Sequence, residues 1–341
     1  MAQDVSPLLS VVIPTYKRTR ILSKVLKALA SQTFPADKFE VIVVMDGPDE
    51  DTEQMLKKCS VPYHLRWFAP PHLGAPRCRN TGLKEAKAPV CVFIDDDIVA
   101  TPGFLEGHFT LHQAEPHLVV LGALKPSPDS PGGLAEVGAE WVQDYFDRCS
   151  KPDYQVGGGD VVNPNFSAEK ADILKAGGWD EAFVGYGGPD DRDLGIRLER
   201  SGAHFRFSLQ ALGYHNQTKG WAGVIRDVRQ NGRTFPHYVS KHPEELKHVS
   251  WAASSALRRF LFRSIRFCPE FLFKGLSAFA RLSDRVLGDG RRGRAVTFLV
   301  RLSINVAFVR GIWETPEDAE KIYGLLIAQG RGKVASESPT T

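Results

Sequence analysis

Cysteine is scarce and scattered. The 341 residues hold five, Cys59, Cys78, Cys91, Cys149 and Cys268. None forms a CxxC pair, which speaks against a disulfide framework or a zinc module. No GxGxxG follows the first apolar run and no GxxxxGK[ST] occurs, which argues against a dinucleotide-dependent oxidoreductase and a P-loop NTPase. A basic start followed by an apolar run is missing, so no secretory signal is expected. The apolar C-terminal segments are cut by Arg294, Arg301 and Arg310, leaving no uncharged run long enough to span a bilayer. The expected location is cytoplasmic, with peripheral contact at the inner face of the cell membrane. There is no internal repeat.

Charge is nearly balanced, at +3 overall, but unevenly placed. Residues 251–310 hold twelve Lys and Arg against three acids, a net +9 that leaves −6 for the remainder. From about Trp251 the composition turns to Arg with Phe and Leu. The segment Leu257–Leu287 reads as an amphipathic interfacial helix, or as a solvated basic face over a packed core. Nucleic acid is not expected there, because the aromatics are Phe mixed with Leu and not a polar stacking platform.

The N-terminal two thirds alternate strand and helix. Leu8–Ile13, Phe39–Met45, Tyr63–Phe68, Val90–Ile94 and Leu118–Leu124 read as strands. Arg20–Gln32, Asp49–Lys58 and Gly74–Ala86 read as helical segments between them. This alternation predicts crossover connections and a mostly parallel sheet flanked by helices. Leu134–Cys149, Ala168–Ala176 and Asp191–Ser201 are expected helices, and Ala203–Leu209 a strand. Pro and Gly punctuate Lys125–Gly159, and residues 333–341 read as a disordered tail.

Val90–Ile94 runs straight into Asp95-Asp96-Asp97. A buried strand that delivers three carboxylates to its C-terminal end places them where open α/β sheets bind ligands. Adjacent carboxylates repel unless a cation or donors offset them. Oxygen ligation of this kind suits Mg²⁺ or Mn²⁺ bridging to substrate phosphates. The first strand ends in Pro14-Thr15-Tyr16-Lys17-Arg18 and the second in Asp46, on the same edge. Tyr16 could stack on a base and Asp46 accept from its ring N–H, or both could be turn residues. Arg77 and Arg79 carry forked donors suited to phosphates. Asp190-Asp191 opens a predicted helix, as first-turn acids or as a general base facing a hydroxyl. His215, after the last strand, could complete a metal site begun by Asp97.

Together these residues resemble the family 2 glycosyltransferases, which share the GT-A nucleotide-diphospho-sugar fold. Leu9–Tyr16 with Lys17-Arg18 is similar to the opening strand and its Pro-Thr-Tyr-Asn-Arg turn. Ser31-Gln32-Thr33, Asp46-Gly47-Pro48 and Arg79-Asn80-Thr81-Gly82 resemble further family segments. Phe93–Asp97 is similar to the DxD strand, with Asp95 and Asp97 as its aspartates. Asn165-Phe166-Ser167 and Gly177–Phe183 resemble the acceptor side, and Asp190-Asp191 stands where the family has Glu-Asp. The second half is also similar to the galactosyl- and N-acetylgalactosaminyltransferase C-terminal module. Gly-Pro-Asp-Asp replaces Gly-Glu-Asp, which leaves the base divided between Asp191 and Asp190. Arg77 stands earlier than the usual arginine, which leaves the phosphate contact open.

The resemblance implies a Rossmann-like GT-A domain over 1–250, with a donor half at about 8–125 and an acceptor half at about 156–220. A helical basic region at 251–332 and the tail follow. It implies an inverting, metal-dependent glycosyltransferase taking a nucleotide-diphosphate sugar to a glycan, lipid-linked or cell-envelope acceptor. Donor binding falls to Pro14, Thr15, Tyr16, Arg18, Asp46, Arg77, Arg79, Asp95 and Asp96. Asp97, Asp95 and His215 hold the metal, and Trp179 and Asp180 meet the acceptor. The competing expectation is a non-catalytic protein of the same fold that binds an anionic membrane surface through 251–310. A sugar nucleotidyltransferase would need a Gly-rich basic loop after the first strand, which Pro14-Thr15-Tyr16 does not supply.

Overall fold

Three strands with every residue buried form the centre of the first half: β1 (Leu9–Thr15), β2 (Phe39–Met45) and β4 (Val90–Ile94). The computed structural model describes residues 6–128, 134–184, 188–216, 219–249, 255–267, 269–275, 278–279 and 294–336. These fall into two compact units. One comprises 1–131, 136–185 and 190–218; the other is built chiefly of 219–341.

The first unit is α/β. Its elements are β1, α1 (Thr19–Leu29), β2, α2 (Glu50–Lys58), β3 (His64–Phe68), α3 (Ala75–Glu85), β4, β5 (Ile98–Ala100) and α4 (Phe104–Ala114). After them come β6 (Leu118–Pro126), α5 (Leu134–Cys149), β7 (Asn165–Glu169), α6 (Lys170–Lys175), α7 (Asp190–Arg200) and β8 (His204–His215). The sheet order is β3-β2-β1-β4-β7-β6-β8-β5. Pairing is parallel across β3-β2-β1-β4 and between β6 and β8. It is antiparallel on both sides of β7 and between β5 and β8. Parallel runs buried on both faces read as continuous apolar sequence, which is why β2 and β4 match their expected bounds. On α1 the buried Leu22, Val25, Leu26 and Leu29 form the stripe that packs on β1 and β2.

Three expectations are corrected. The helix expected over Ala168–Ala176 is only Lys170–Lys175, because Asn165–Glu169 is strand β7, held between β4 and β6. Ladder bonds on both flanks outweigh a weak local helix preference. Leu257–Leu287 is not one helix: α9 (Ala256–Ser264) passes into a 3₁₀ turn at Ile265–Phe267, just before Pro269. Pro has no N–H for a continuing helix. The C-terminal helix α11 (Pro316–Ser336) runs into the expected tail. Residues 337–341, the Gly185-Tyr186-Gly187 approach to α7 and the arginines between 281 and 292 lie outside the described residues.

The second unit is helical: α8 (Trp221–Lys241), α9, α10 (Arg294–Ile312) and α11. Helices α8 and α10 touch backbone to backbone. A Cβ on Gly232 would lie 2.0 Å from the Phe308 carbonyl oxygen, and one on Gly311 2.0 Å from that of Arg229. Only glycine permits this approach. Among the described residues no helix is long and apolar enough to cross a membrane.

Candidate active site

Parallel pairing carries the C-terminal ends of β1, β2 and β4 to one edge. Thr15 faces Met45 in register, and Asp46 N–H donates to the Thr15 carbonyl at 2.8 Å. The turn after β4 presents Asp95, Asp96 and Asp97 beside Thr15. Its mutual repulsion is offset by three donors. Thr15 Oγ1 donates to Asp96 Oδ2 at 2.6 Å. Arg18 spans two carboxylates, Nη1 to Asp96 Oδ1 at 2.6 Å and Nη2 to Asp97 Oδ2 at 2.8 Å. Arg79 Nη2 donates to Asp95 Oδ1 at 2.7 Å. Burial still pushes the Asp96 carboxyl up to about 7, against the pull of Arg18 and with the push of Asp97.

Asp97 also faces inward. Strand β5 follows the acidic turn and pairs with β8, with Ile98 opposite His215. His215 Nε2 thereby lies 3.6 Å from Asp97 Oδ1. Both side chains are nearly buried, and Trp141 lies edge-on to the imidazole at 5.8 Å. A carboxylate oxygen and an imidazole nitrogen converging at this spacing could serve as two ligands of one divalent cation. Asp95, two residues before Asp97, is turned to Arg79.

Asp46 is fully built into the fold. Its carboxylate accepts from the Leu73 N–H at 2.9 Å and the Gly74 N–H at 3.1 Å, and lies 2.8 Å from His72 Nδ1. His72 in turn stacks on Tyr16, with ring centroids 4.6 Å apart and planes at 22°. Asp46 thus fixes the loop that holds an aromatic wall, with Tyr16 37% exposed on it. His72 carried no motif; its place follows from the bend in the loop between β3 and α3. Pro14 stays within the strand, opposite Val44.

The two arginines of α3 part company. Arg77 pairs with Glu181 at 2.7 Å, with both side chains exposed. Arg79 is 4% exposed and bridges Asp95 and, at 3.4 Å, Asp190 Oδ2. Gly82 seats this helix on β1, where a Cβ would meet Val12 Cγ1 at 2.3 Å. Asp190 accepts from Asn163 Nδ2 at 2.8 Å. Burial drives its carboxyl up to about 7; Arg79 opposes that and Asp191 adds to it. Asp191 is more open. It accepts from the Asn163 N–H at 3.2 Å and the Arg192 N–H at 2.8 Å, and burial raises its pKa too. Asn163, which organises both carboxylates, carried no signal in the sequence.

Trp179 is a correction. It was expected at the acceptor but is 2% exposed, packed on Phe93 with centroids 4.5 Å apart. Its indole N–H donates to Asn163 Oδ1 at 3.0 Å, so it orients Asn163 from beneath. Asp180 closes a local turn by accepting from the Ala182 N–H at 2.9 Å.

Residues 10–156 match the family model described as glycosyl transferase family 2. The chain is 30% identical over 277 residues to validoxylamine A glucosyltransferase of Streptomyces hygroscopicus subsp. jinggangensis, covering 73% of this chain and 64% of that protein. It is 27% identical over 275 residues to chondroitin synthase of Escherichia coli, covering 68% of this chain and 39% of that protein. The chain thus spans less than two thirds of the length of these relatives. Among solved structures it is similar to a mannosyltransferase from Pyrobaculum calidifontis in complex with GDP-Man and Mn²⁺, with TM-score 0.58, 16% identity and coverage of 92% of this chain and 89% of that one. TarS of S. aureus aligns with TM-score 0.52 and 16% identity, over 93% of this chain and 55% of that one. These likenesses establish the GT-A type of fold.

Proposed function

We propose that this chain, whose residues 10–156 match the family 2 glycosyltransferase model, moves a sugar from a nucleotide-diphosphate sugar to an acceptor hydroxyl, with inversion and with help from a divalent cation. The observation that carries this is the pairing of Asp97 with His215 at the mouth of β4, tied through Asp95 and Arg79 to the helix that begins with Asp190-Asp191. Asp97 and His215 would hold Mn²⁺ or Mg²⁺. Such an ion supplies Lewis-acid neutralisation of the departing diphosphate.

The chain's own residues divide the remaining work. Tyr16, backed by His72, offers a stacking face for the nucleotide base, and Asp46 keeps that wall in place. Arg18, whose side chain is 23% exposed, is the guanidinium that reaches the diphosphate. Arg77, 41% exposed and paired with Glu181, is the second guanidinium open to that role, whereas Arg79 is buried between two carboxylates. Asp191 is the general base, because Asp190 is engaged by both Asn163 and Arg79. Its raised pKa brings its titration toward neutrality, where a base is most effective. The acceptor is a saccharide, free or lipid-linked, and nucleic acid is not a partner.

A panel of UDP- and GDP-sugars with Mn²⁺ and saccharide acceptors, read by release of nucleoside diphosphate, tests this. Asp191→Asn should lower turnover by about 10²–10⁴ while donor affinity stays within a factor of about two. Turnover retained in D191N would move the base elsewhere. No release from any donor would end the transferase reading.

A further inference from the structure

The surface of the second unit carries phenylalanine and arginine along one continuous stretch. On α9, Leu257, Phe260 and Leu261 recur at i, i+3 and i+4 and are 66%, 64% and 48% exposed. Phe267, the last residue of the 3₁₀ turn, and Phe271 beyond it are each 71% exposed, and Leu272 is 54% exposed. The other side of this stretch is anchored. Phe262 is buried, its carbonyl accepts from Trp313 Nε1 at 2.9 Å, and its ring stacks over Tyr323 at 6.5 Å. Phe273 is buried too, with the Arg310 guanidinium 5.3 Å from its ring centroid. The exposed rings therefore belong to a segment whose inward face is already packed.

Within the stretch itself the charge is almost all of one sign, with Arg263 and Arg266 both meeting Glu320 of α11. Arg258, Arg259, Arg263, Arg266 and Lys274 lie between Ser255 and Gly275, and the only acid there is Glu270. Glu270 is taken up by Arg229 and Arg310. A two-fold contact with a second copy would set this basic face against itself. Rings that enter the acyl boundary, flanked by cations at headgroup level, match an anionic bilayer instead.

We propose that the Leu257–Leu272 face is an interfacial anchor that seats the second unit on an anionic lipid surface. It stands independently of the transferase reading and narrows the basic 251–310 region to named side chains. Flotation of the full chain with vesicles of phosphatidylcholine, with and without phosphatidylglycerol, tests it. The chain should float with the anionic vesicles at low salt and much less at high salt, and stay behind with neutral ones. The triple variant Phe260→Ser, Phe267→Ser, Phe271→Ser should lose flotation with its melting temperature kept. Should that variant fail to fold, Arg258→Gln with Arg259→Gln decides: partitioning should fall on the order of thirtyfold. Absence of flotation by the wild type, or variants that float as it does, would overturn the anchor. So would a concentration-dependent dimer that the Phe→Ser variant abolishes without any vesicle binding.

Discussion

Arg79 is the buried side chain shared by one buried carboxylate, Asp190, and one half-buried one, Asp95. Replacing it with Met would leave Asp95 and Asp190 without their shared cation, and loss of one partner from a buried pair costs about 3–5 kcal/mol. Chemical denaturation of Arg79→Met should show a loss of that size; a change under about 1 kcal/mol would mean the bridge is incidental. Asp190 gives a second test through pH. Its folded-state pKa is raised from 3.8 to about 7, so its contribution is fully present below pH 3.8 and is lost as pH rises through 7. Asp190→Asn should therefore raise the melting temperature relative to wild type more at pH 8 than at pH 5. An equal offset at both would refute the burial effect. Much of this cluster was readable from sequence, since Arg79, Asp95 and Asp190 each sit in a recognisable segment. Their pairing was not, because it joins α3, the turn after β4 and the start of α7. Asn163 and His72 gave no signal, as their roles arise only from long-range neighbours. Trp179 misled because a motif residue can serve a site from the core beneath it.

At the scale of elements, the strands that are buried on both faces announced themselves as apolar runs. Strand β7 did not. Its Asn165, Ser167 and Glu169 are polar, and Asn165 and Ser167 are satisfied by His108 on α4, at 2.9 Å and 2.8 Å. That satisfaction is a tertiary fact with no local trace. Burial drives His108 down to about 3, so it stays neutral there. The contact of α8 with α10 makes a sharper claim. Gly232→Ala would force a Cβ against the Phe308 carbonyl, and overpacking of this kind costs about 1–3 kcal/mol. Urea unfolding should detect that loss; a neutral substitution would mean the helices are spaced more loosely than described.

For the whole molecule, the two units differ in chemical character. The α/β unit gathers strand ends, α3 and α7 around one acidic turn, and the helical unit carries a basic, phenylalanine-rich face. Composition foretold both characters, since acids prevail before residue 251 and arginines after it. The central claim is that Asp97, with His215, grips a divalent ion that the nucleotide-diphosphate sugar needs. Isothermal titration of the preferred donor into wild type and Asp97→Ala, each with and without Mn²⁺, addresses it directly. Donor binding should require Mn²⁺ in the wild type and be lost in Asp97→Ala even at saturating metal. Equal donor affinity in all four titrations would contradict the account.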